Sequence, residues 1–259
     1  MRLKNKIAIV TGAAQGIGEG IALMFADEGA KVVVVDINQE KASQTSQSIQ
    51  AKGGDSIAFQ ADVSNRAEVA EVVAKTVDKY GKIDILVNNA GAAAFQPFMD
   101  ITDKDWDKIL DTNAKGVFIF TQEVAKVMIE QKSGKIINAS SIAGKKGIAM
   151  QAHYCSSKFA VVALTQVSAI ELAPYNITVN AFCPGVVDTP MWQRLDESIY
   201  KLGKSSKLGE AMREFAEGAL LKRYSTPEDV GKLVVFLASS EADYITGQAI
   251  NVDGGFVFH

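Results

Sequence analysis

The chain has 259 residues, 47% of them hydrophobic and 22% charged, with a formal net charge of −3 at pH 7. This composition is ordinary for one α/β domain and gives no reason to expect nucleic acid as a partner. No apolar run is long enough for a membrane span and the N-terminus has no signal-peptide pattern, so we expect a cytoplasmic protein without a membrane partner. The two cysteines have no metal-ligand spacing and the only histidines are His153 and His259, so we expect no metal site.

Strand-like and helix-like segments alternate from the start of the chain. The predicted strands are 7–11, 31–36, 56–60, 83–88, 135–140, 177–182 and 249–252. The predicted helices are 16–28, 39–52, 65–80, 104–131, 153–173 and 227–238. Repeated β-α-β units with buried strands predict an α/β fold, a single Rossmann-type doubly wound parallel β-sheet with helices on both faces. No linker or low-complexity stretch divides residues 1–259, so we expect a single domain.

A glycine-rich segment, Thr11–Gly18, joins the first predicted strand to the first predicted helix. Such a turn lets backbone N–H groups and a helix N-terminus approach a pyrophosphate closely. A glycine pattern alone is weak evidence, because any tight turn favours glycine. Here the strand before and the helix after are both present, which favours dinucleotide binding. The residues of this segment expected to contact the dinucleotide are Gly12, Gln15, Gly16, Ile17 and Gly18.

An aspartate ends the second predicted strand, about where a carboxylate that binds the adenosine ribose is expected. Asp36 would accept hydrogen bonds from a ribose 2′-OH and repel a 2′-phosphate. The neighbours Ala14, Gln15 and Ile37 are uncharged and would not offset its charge. The sequence therefore favours NAD over NADP as the cofactor.

Asp62 and Val63 follow the third predicted strand. The carboxylate of Asp62 would accept a hydrogen bond from the adenine amino group. Capping of the helix that follows is the alternative role, and the two roles are compatible.

A phenol and an ammonium stand four residues apart on the predicted helix 153–173. Tyr154 and Lys158 therefore share one helix face. A free phenol titrates at about pH 10 and is a poor base at neutral pH. A nearby ammonium favours the phenolate, so Lys158 would lower the pKa of Tyr154 and make it a usable proton donor and acceptor. Ser141 follows a predicted strand, where its hydroxyl would meet a polar ligand. Taken alone, a Tyr–Lys pair is more often a solvated surface contact.

Further motifs carry a resemblance to the short-chain dehydrogenase/reductase family over nearly the whole chain. They are Asn88-Asn89-Ala90-Gly91, Asn113, and Pro184-Gly185 leading to Thr189, in addition to the glycine-rich segment, Asp62-Val63, Ser141 and Tyr154-x-x-x-Lys158. The resemblance implies that Tyr154 is the general acid/base and that Lys158 also holds the nicotinamide ribose. It implies that Ser141 hydrogen-bonds the substrate oxygen and that Asn113 holds a water linking Lys158 to a proton relay.

The resemblance also implies a surface for the cofactor. Asn89 and Gly91 would border the dinucleotide, and the segment 185–189 would touch the nicotinamide carboxamide and the phosphates. The other residues expected at the cofactor are Ile37, Val63, Ala90, Pro184, Gly185, Val187, Thr189 and Met191.

Within that family the chain looks most like the acetoin/diacetyl reductases (2,3-butanediol dehydrogenases) and the short-chain polyol dehydrogenases. The first resemblance includes Pro190-Met191-Trp192 and the second includes Gly185-Val186-Val187-Asp188. We therefore expect an NAD-dependent oxidoreductase for a small secondary alcohol and ketone, first acetoin, diacetyl or 2,3-butanediol and second a sugar alcohol. A 3-oxoacyl thioester reductase, which normally uses NADPH, and a non-catalytic NAD-binding protein are the further alternatives.

The stretch 188–224 is too long for an ordinary connection and is predicted to be a substrate lid, with helical patterns at 195–201 and 208–222. Trp192 would close a small pocket or anchor the lid by apolar burial. Gln151 is expected in the pocket wall.

Two further residues close to the expected catalytic serine and tyrosine bear on the substrate. Ile142 stands where many acetoin reductases have glutamine, and an apolar group there removes a hydrogen bond to a second substrate oxygen. His153 is expected either at the surface, at the start of its helix, or in contact with the substrate.

The resemblance implies a homotetramer built from the two long helices 104–131 and 153–173 and from the last helix and strand. The apolar tail Phe256-Val257-Phe258 would be explained if it packed at a subunit contact.

Overall fold

Seven strands form one parallel sheet in the order β3-β2-β1-β4-β5-β6-β7 in a computed structural model that describes residues 1–258. The strands are β1 Ile7–Thr11, β2 Lys31–Asp36, β3 Ser56–Gln60, β4 Ile85–Asn88, β5 Gly134–Ala139, β6 Ile177–Pro184 and β7 Ala249–Val252. The order runs outward from β1 in both directions, so the sheet is doubly wound and the predicted fold class is confirmed. His259 lies outside the described residues, so the expectation that involves it is not tested.

Nine helices cover the two faces and one end of the sheet in the described part of the chain. They are α1 Gly16–Asp27, α2 Gln39–Ala51, α3 Arg66–Tyr80, α4 Asp103–Leu110, α5 Gly116–Gln131, α6 Ala152–Leu172, α7 Pro190–Lys201, α8 Glu210–Glu217 and α9 Pro227–Ala238. None of these helices is long and apolar enough to cross a membrane.

The four valines of β2 show how the sheet is buried on both faces. Val32 and Val34 pack in the cluster that contains residues of α1, α2 and α9, and Val33 and Val35 pack in the cluster that contains residues of α3 and α5. Alternate side chains of a strand point to opposite faces, so a continuous apolar run is what a doubly covered strand requires.

The prediction of one continuous helix over 104–131 is wrong. The segment consists of α4, a π-helical turn at Asp111–Lys115, and α5. A π turn inserts an extra residue into the helical repeat, and an apolar stripe with broad limits does not reveal such an insertion. The break is decided by the buried side chain of Asn113, whose contacts are described below.

The segment 188–224, which we call the lid, also differs in detail from its helical patterns. The helix α7 begins at Pro190, five residues before the predicted start, because proline suits the first turn of a helix. The pattern at 208–222 forms only α8, which ends before Gly218.

Candidate active site

The glycine-rich turn is built so that it contacts the segment that follows β4. Gly12 has a φ of +63°, and a Cβ added there would lie 2.6 Å from the Cα of Ala90. A Cβ on Gly18 would lie 2.2 Å from the carbonyl oxygen of Gly12. Only hydrogen fits at either position, so the two glycines let β1, α1 and the end of β4 approach one another.

A cleft of about 290 Å³ opens beyond the carboxyl ends of the strands, which is where parallel α/β sheets bind ligands. The predicted residues that line it are Gly12, Gln15, Gly16, Ile17, Asp36, Ile37, Val63, Asn89, Ala90, Gly91, Tyr154, Lys158, Pro184, Thr189 and Met191. Residues from both halves of the sheet, far apart in the chain, therefore meet in a single space.

The cleft has further lining residues that sequence reasoning missed. They are Ala92, Thr112, Ala139, Ser140, Phe182, Pro190 and Arg194. Most of them are immediate neighbours of predicted residues, which is a signal the sequence offered. Arg194 is different, because it lies one helical turn beyond Met191 and only the helix α7 brings the two to the same wall.

Other predicted residues do not line this cleft. They are Gly18, Asp62, Asn113, Ser141, Ile142, Gln151, Gly185, Val187 and Trp192. Asp62 accepts hydrogen bonds from the backbone N–H and hydroxyl of Ser64, at 2.8 and 2.7 Å, in the turn that leads to α3. Val187 is buried and forms a bridge with Ser225 at the base of the lid.

The carboxylate of Asp36 is held at one end of the cleft by two backbone N–H groups. It accepts from Ala14 at 3.1 Å and from Asn38 at 3.0 Å. The ammonium of Lys41 donates to the side chain of Gln15 at 3.1 Å. A cation therefore lies near this end of the cleft, and the sequence neighbours of Asp36 did not reveal it because the first turn of α2 brings it there.

Asn113 is completely buried in the π turn, and its side-chain amide forms three hydrogen bonds. Its Oδ1 accepts from the N–H of Ala92 at 2.7 Å, and its Nδ2 donates to the carbonyl of Ala92 and to the hydroxyl of Ser157, each at 2.9 Å. Ser157 in turn donates to the carbonyl of Tyr154 at 2.7 Å. The side chain therefore connects the loop after β4 to the first turns of α6. Since both of its N–H groups are engaged, neither is left to donate to the water that the resemblance implies.

Tyr154 and Lys158 share one face of α6 and open into the cleft. The Nζ atom of Lys158 lies 5.7 Å from the centroid of the Tyr154 ring and donates to the carbonyl of Ala139 at 2.7 Å. Burial lowers the pKa of Lys158 from 10.5 to about 8. Burial also raises the pKa of Tyr154 from 10.0 to about 12, and a hydrogen bond with Ser141 acts in the opposite direction.

The expectation that Lys158 lowers the pKa of Tyr154 is therefore not met by the protein alone. The physical reason is that removal of water penalises the phenolate more than the surrounding groups stabilise it. At neutral pH the phenol is protonated.

Ser141 begins the short helical turn Ile142–Gly144 directly after β5. Its Oγ accepts from the N–H of Ala143 at 3.1 Å, and the side chain is buried. The proton of this hydroxyl is not used by that bond. Ser141 is therefore placed beside Tyr154, and the hydrogen bond between the two hydroxyl groups is open to its proton.

His153 is completely buried, so a surface position for it is wrong. Its Nδ1 accepts from the backbone N–H of Tyr154 at 3.0 Å. Its Nε2 is buried and has no hydrogen-bond partner among the described residues. Burial lowers the pKa of His153, while the negative charge of Asp105 raises it. The imidazole is therefore neutral at pH 7 and supports the backbone at Tyr154.

An aromatic cluster holds the lid to the body of the protein. The ring of Trp192 lies 6.5 Å from that of Phe95 and 5.4 Å from that of Phe215, measured between centroids. A second cavity, of about 240 Å³, adjoins this cluster at Phe215. Its lining consists of Ile142, Lys146, Gly147, Ile148, Ala149, Phe215, Phe256 and Val257. Ile142 thus faces an apolar space directly after the serine.

Comparison with known proteins agrees with this geometry. The family model described as enoyl-(acyl carrier protein) reductase matches residues 12–257. The chain belongs to the short-chain dehydrogenase/reductase family. Members of this family use a nicotinamide cofactor. The protein is therefore an oxidoreductase that acts on CH–OH groups, which confirms the predicted class of reaction.

Relatives with different substrates lie at similar distances from this chain. It is 44% identical to a diacetyl reductase, (S)-acetoin forming, of Staphylococcus epidermidis, over 98% of this chain and 99% of the relative. It is 42% identical to a galactitol 2-dehydrogenase of Agrobacterium fabrum, over 98% of each chain. It is 41% identical to the 3-oxoacyl-acyl-carrier-protein reductase FabG of Thermotoga maritima, over 99% of this chain and all of the relative.

Two solved structures share the fold closely. Levodione reductase has a TM-score of 0.92 and 33% identity, with 98% of each chain covered. A single-residue variant of actinorhodin polyketide ketoreductase with NADPH has a TM-score of 0.93 and 35% identity, with 97% of each chain covered. The substrates named for these relatives all contain a carbonyl or a secondary alcohol. The comparison therefore defines the class of reaction and does not identify the substrate.

Proposed function

We propose that the protein is an NAD-dependent oxidoreductase that interconverts a small secondary alcohol and ketone, with acetoin, diacetyl or 2,3-butanediol as substrates. The observation that carries the proposal is that Tyr154 and Lys158 line the same cleft as the glycine-rich turn. An acid/base group and a dinucleotide site in one space are what hydride transfer at a carbonyl carbon requires.

The cleft fits a nicotinamide dinucleotide. The glycine-rich turn lines the cleft with Gly12 and Gly16, where backbone can approach a pyrophosphate, and the carboxylate of Asp36 lines the same cleft for a ribose. When bound, the cofactor supplies the two-electron redox step. The residues of this chain then have to bind, orient and protonate the substrate.

Tyr154 is proposed to give its phenolic proton to the substrate oxygen during reduction, while the hydroxyl of Ser141 donates a hydrogen bond to that oxygen. The raised pKa of Tyr154, about 12 in the protein alone, keeps the phenol in its acid form at neutral pH. The acid that reduction requires is therefore already protonated at neutral pH. Oxidation needs the phenolate, so its rate is expected to rise with pH.

The apolar character of the substrate side supports a small ketone over a sugar alcohol. Phe95, Trp192 and Phe215 pack together where the lid meets the body, and Ile142, which follows Ser141, lines the neighbouring cavity of about 240 Å³. A polyol would leave several hydroxyl groups without hydrogen-bond partners against such apolar groups, and each unpaired group is costly to bury. The similarity to the diacetyl reductase also supports this choice.

NAD is proposed as the cofactor because the charge of Asp36 is fixed at the ribose end of the cleft. A 2′-phosphate would meet this carboxylate, whereas the ammonium of Lys41, which donates to Gln15, keeps its charge and is the group that would offset the repulsion. Repulsion between like charges in such a site disfavours NADP.

We further propose a cytoplasmic homotetramer. Apolar side chains on α5 and α6 are exposed in the single chain, among them Phe118, Phe159, Val167 and Ile170, which is 75% exposed. Such residues on neighbouring helices are explained by a subunit contact. Cys155 and Cys183 are both free thiols, which suits a reducing compartment. Light scattering after size exclusion measures the assembly directly.

The test of the function is a set of initial rates with NADH and NADPH on diacetyl, acetoin and a simple 3-oxoacyl thioester, and with NAD and NADP on 2,3-butanediol and galactitol. We expect the highest kcat/KM for diacetyl or acetoin with NADH. Tyr154→Phe should reduce kcat by at least about a hundredfold while NADH still binds. Near-normal turnover of that variant contradicts the assignment of the acid, and preference for galactitol or the thioester contradicts the assignment of the substrate.

A further inference from the structure

The lid contains an arginine that stands out from the others in this chain. Four of the five arginines form an ion pair with a carboxylate. Arg194 is exposed, and its guanidinium has no hydrogen-bond or ion-pair partner among the described residues. It lines the same cleft as the glycine-rich turn. An unpaired guanidinium on the wall of a binding cleft is available for an anionic ligand.

The position of Arg194 on α7 indicates which part of the cleft it serves. Met191 and Arg194 are three residues apart and lie on one face of the helix, and both line the cleft. Trp192 is two residues before Arg194 and lies on the opposite side, where it packs with Phe95 and Phe215. The aromatic face of α7 thus packs against the body of the protein, and the face of Arg194 lines the cleft of the glycine-rich turn.

The start of α7 packs directly on the glycine-rich turn. A Cβ on Gly16 would lie 3.2 Å from Cγ2 of Thr189, the residue that precedes α7. The first residues of α1 and α7 therefore lie close together. Neither Gln15 nor Thr189 caps its helix with a side chain. Two helix N-termini with free N–H groups favour negative charge in the space between them.

We propose that Arg194 binds the pyrophosphate of the dinucleotide and thereby draws the lid over the cofactor. The proposal rests on the dinucleotide binding argued above. The backbone N–H groups of the turn hold the phosphates from below, and Arg194 completes the site from the lid. Because α7 also carries Trp192, cofactor binding would place the aromatic cluster before the substrate enters.

The experiment measures dinucleotide binding by NADH fluorescence, with displacement by ADP-ribose, which has the pyrophosphate and lacks the nicotinamide ring. Arg194→Gln should raise the Kd for NADH and for ADP-ribose by about tenfold each, because one charge-assisted contact is lost. The salt dependence of both Kd values should also become weaker. Arg194→Lys should recover part of the affinity, since it keeps the charge and loses the planar fork.

The matched control is Arg213→Gln, since Arg213 lies in the same lid on α8 and pairs with Glu217 at 3.7 Å. Its Kd values should stay within about twofold of the wild type, as expected for an exposed pair. A second readout is trypsin cleavage at the exposed Lys201, Lys204 and Lys207 of the lid. ADP-ribose should slow this cleavage in the wild type and not in Arg194→Gln.

Three results would overturn the inference. The first is an unchanged Kd for ADP-ribose in Arg194→Gln. The second is a rise in the KM of the ketone alone, which would assign Arg194 to the substrate. The third is a loss confined to NADPH, which would assign it to a 2′-phosphate. If the wild type binds no dinucleotide at all, the proposed function itself fails, so the two failures are distinguishable.

Discussion

The cradle of the dinucleotide and the lid are held in place in different ways. The cradle, which consists of the turn 11–18 and the segment 89–91, is closed by a close approach of backbones and by hydrogen bonds that pair two side chains with backbone groups. The hydroxyl of Thr11 accepts from the N–H groups of Asn89 and Ala90, and the amide of Asn89 donates to the carbonyls of Thr11 and Gly12. No side-chain carbon fits at Gly12 or Gly18.

The lid is held mainly by packing between a small number of apolar side chains. The rings of Phe95, Trp192 and Phe215 join it to the body, and the buried carboxylate of Asp196 accepts from N–H groups at the start of α8. A Cβ at Gly203 would meet no atom within 4 Å. The comparison teaches that the cradle tolerates almost no substitution at its glycines. The lid, in contrast, can be changed by replacing a small number of side chains.

The largest effect should come from a methyl group placed in the cradle. Gly18→Ala forces a clash with the carbonyl of Gly12, and overpacking of this kind costs about 3 kcal/mol of unfolding free energy. NADH affinity should fall by more than about tenfold, because the turn must move and the backbone N–H groups that would bind the phosphates move with it. Urea denaturation and NADH titration measure the two effects.

The matched control for this variant is Gly203→Ala in the lid. The added methyl group meets open space, so the only cost is that of a side chain at a positive φ, about 1 kcal/mol of unfolding free energy. NADH binding by Gly203→Ala should equal that of the wild type. Normal NADH affinity in Gly18→Ala would remove the distinction between the two regions.

A smaller effect, confined to the substrate side, is expected from Trp192→Ala. The variant loses aromatic contacts worth about 1 kcal/mol each, so the lid should be cleaved faster by trypsin. The kcat/KM for diacetyl should fall by about tenfold, with the Kd of NADH changed less than about twofold. Trp106→Ala, at a partly exposed position on α4, is the matched control and should alter neither constant. An equal loss of NADH affinity in Trp192→Ala would show that the two regions are not independent.

The smallest effect tests His153, the buried residue next to Tyr154. Burial lowers the pKa of His153 below its ordinary 6.5, so below that pH the unfolded chain binds more protons than the folded one. The free energy of unfolding should therefore be full at neutral pH and decrease as the pH falls from about 6.5 through the lowered pKa. In His153→Gln the decrease over this range should be smaller. Urea denaturation of both proteins at a series of pH values measures it, and identical slopes would contradict the burial argument.

The local elements of this protein could be predicted from its sequence because their signals are short in range. The four valines of β2 indicated a doubly covered strand, and the Tyr154–Lys158 spacing indicated one helix face. The glycines of the turn indicated a close backbone approach to a ligand. Each of these inferences needs only neighbours along the chain, and the residue patterns of the family then identified the class of reaction.

Only the tertiary structure decided the rest. The π turn at Asn113 depends on hydrogen bonds to Ala92 and Ser157, which come from other parts of the chain. The burial of His153 and the raised pKa of Tyr154 depend on how much water every surrounding element removes. Arg194 reached the wall of the cleft because α7 packs on the glycine-rich turn. Desolvation and long-range packing are properties of the whole fold, and a local pattern in the sequence does not contain them.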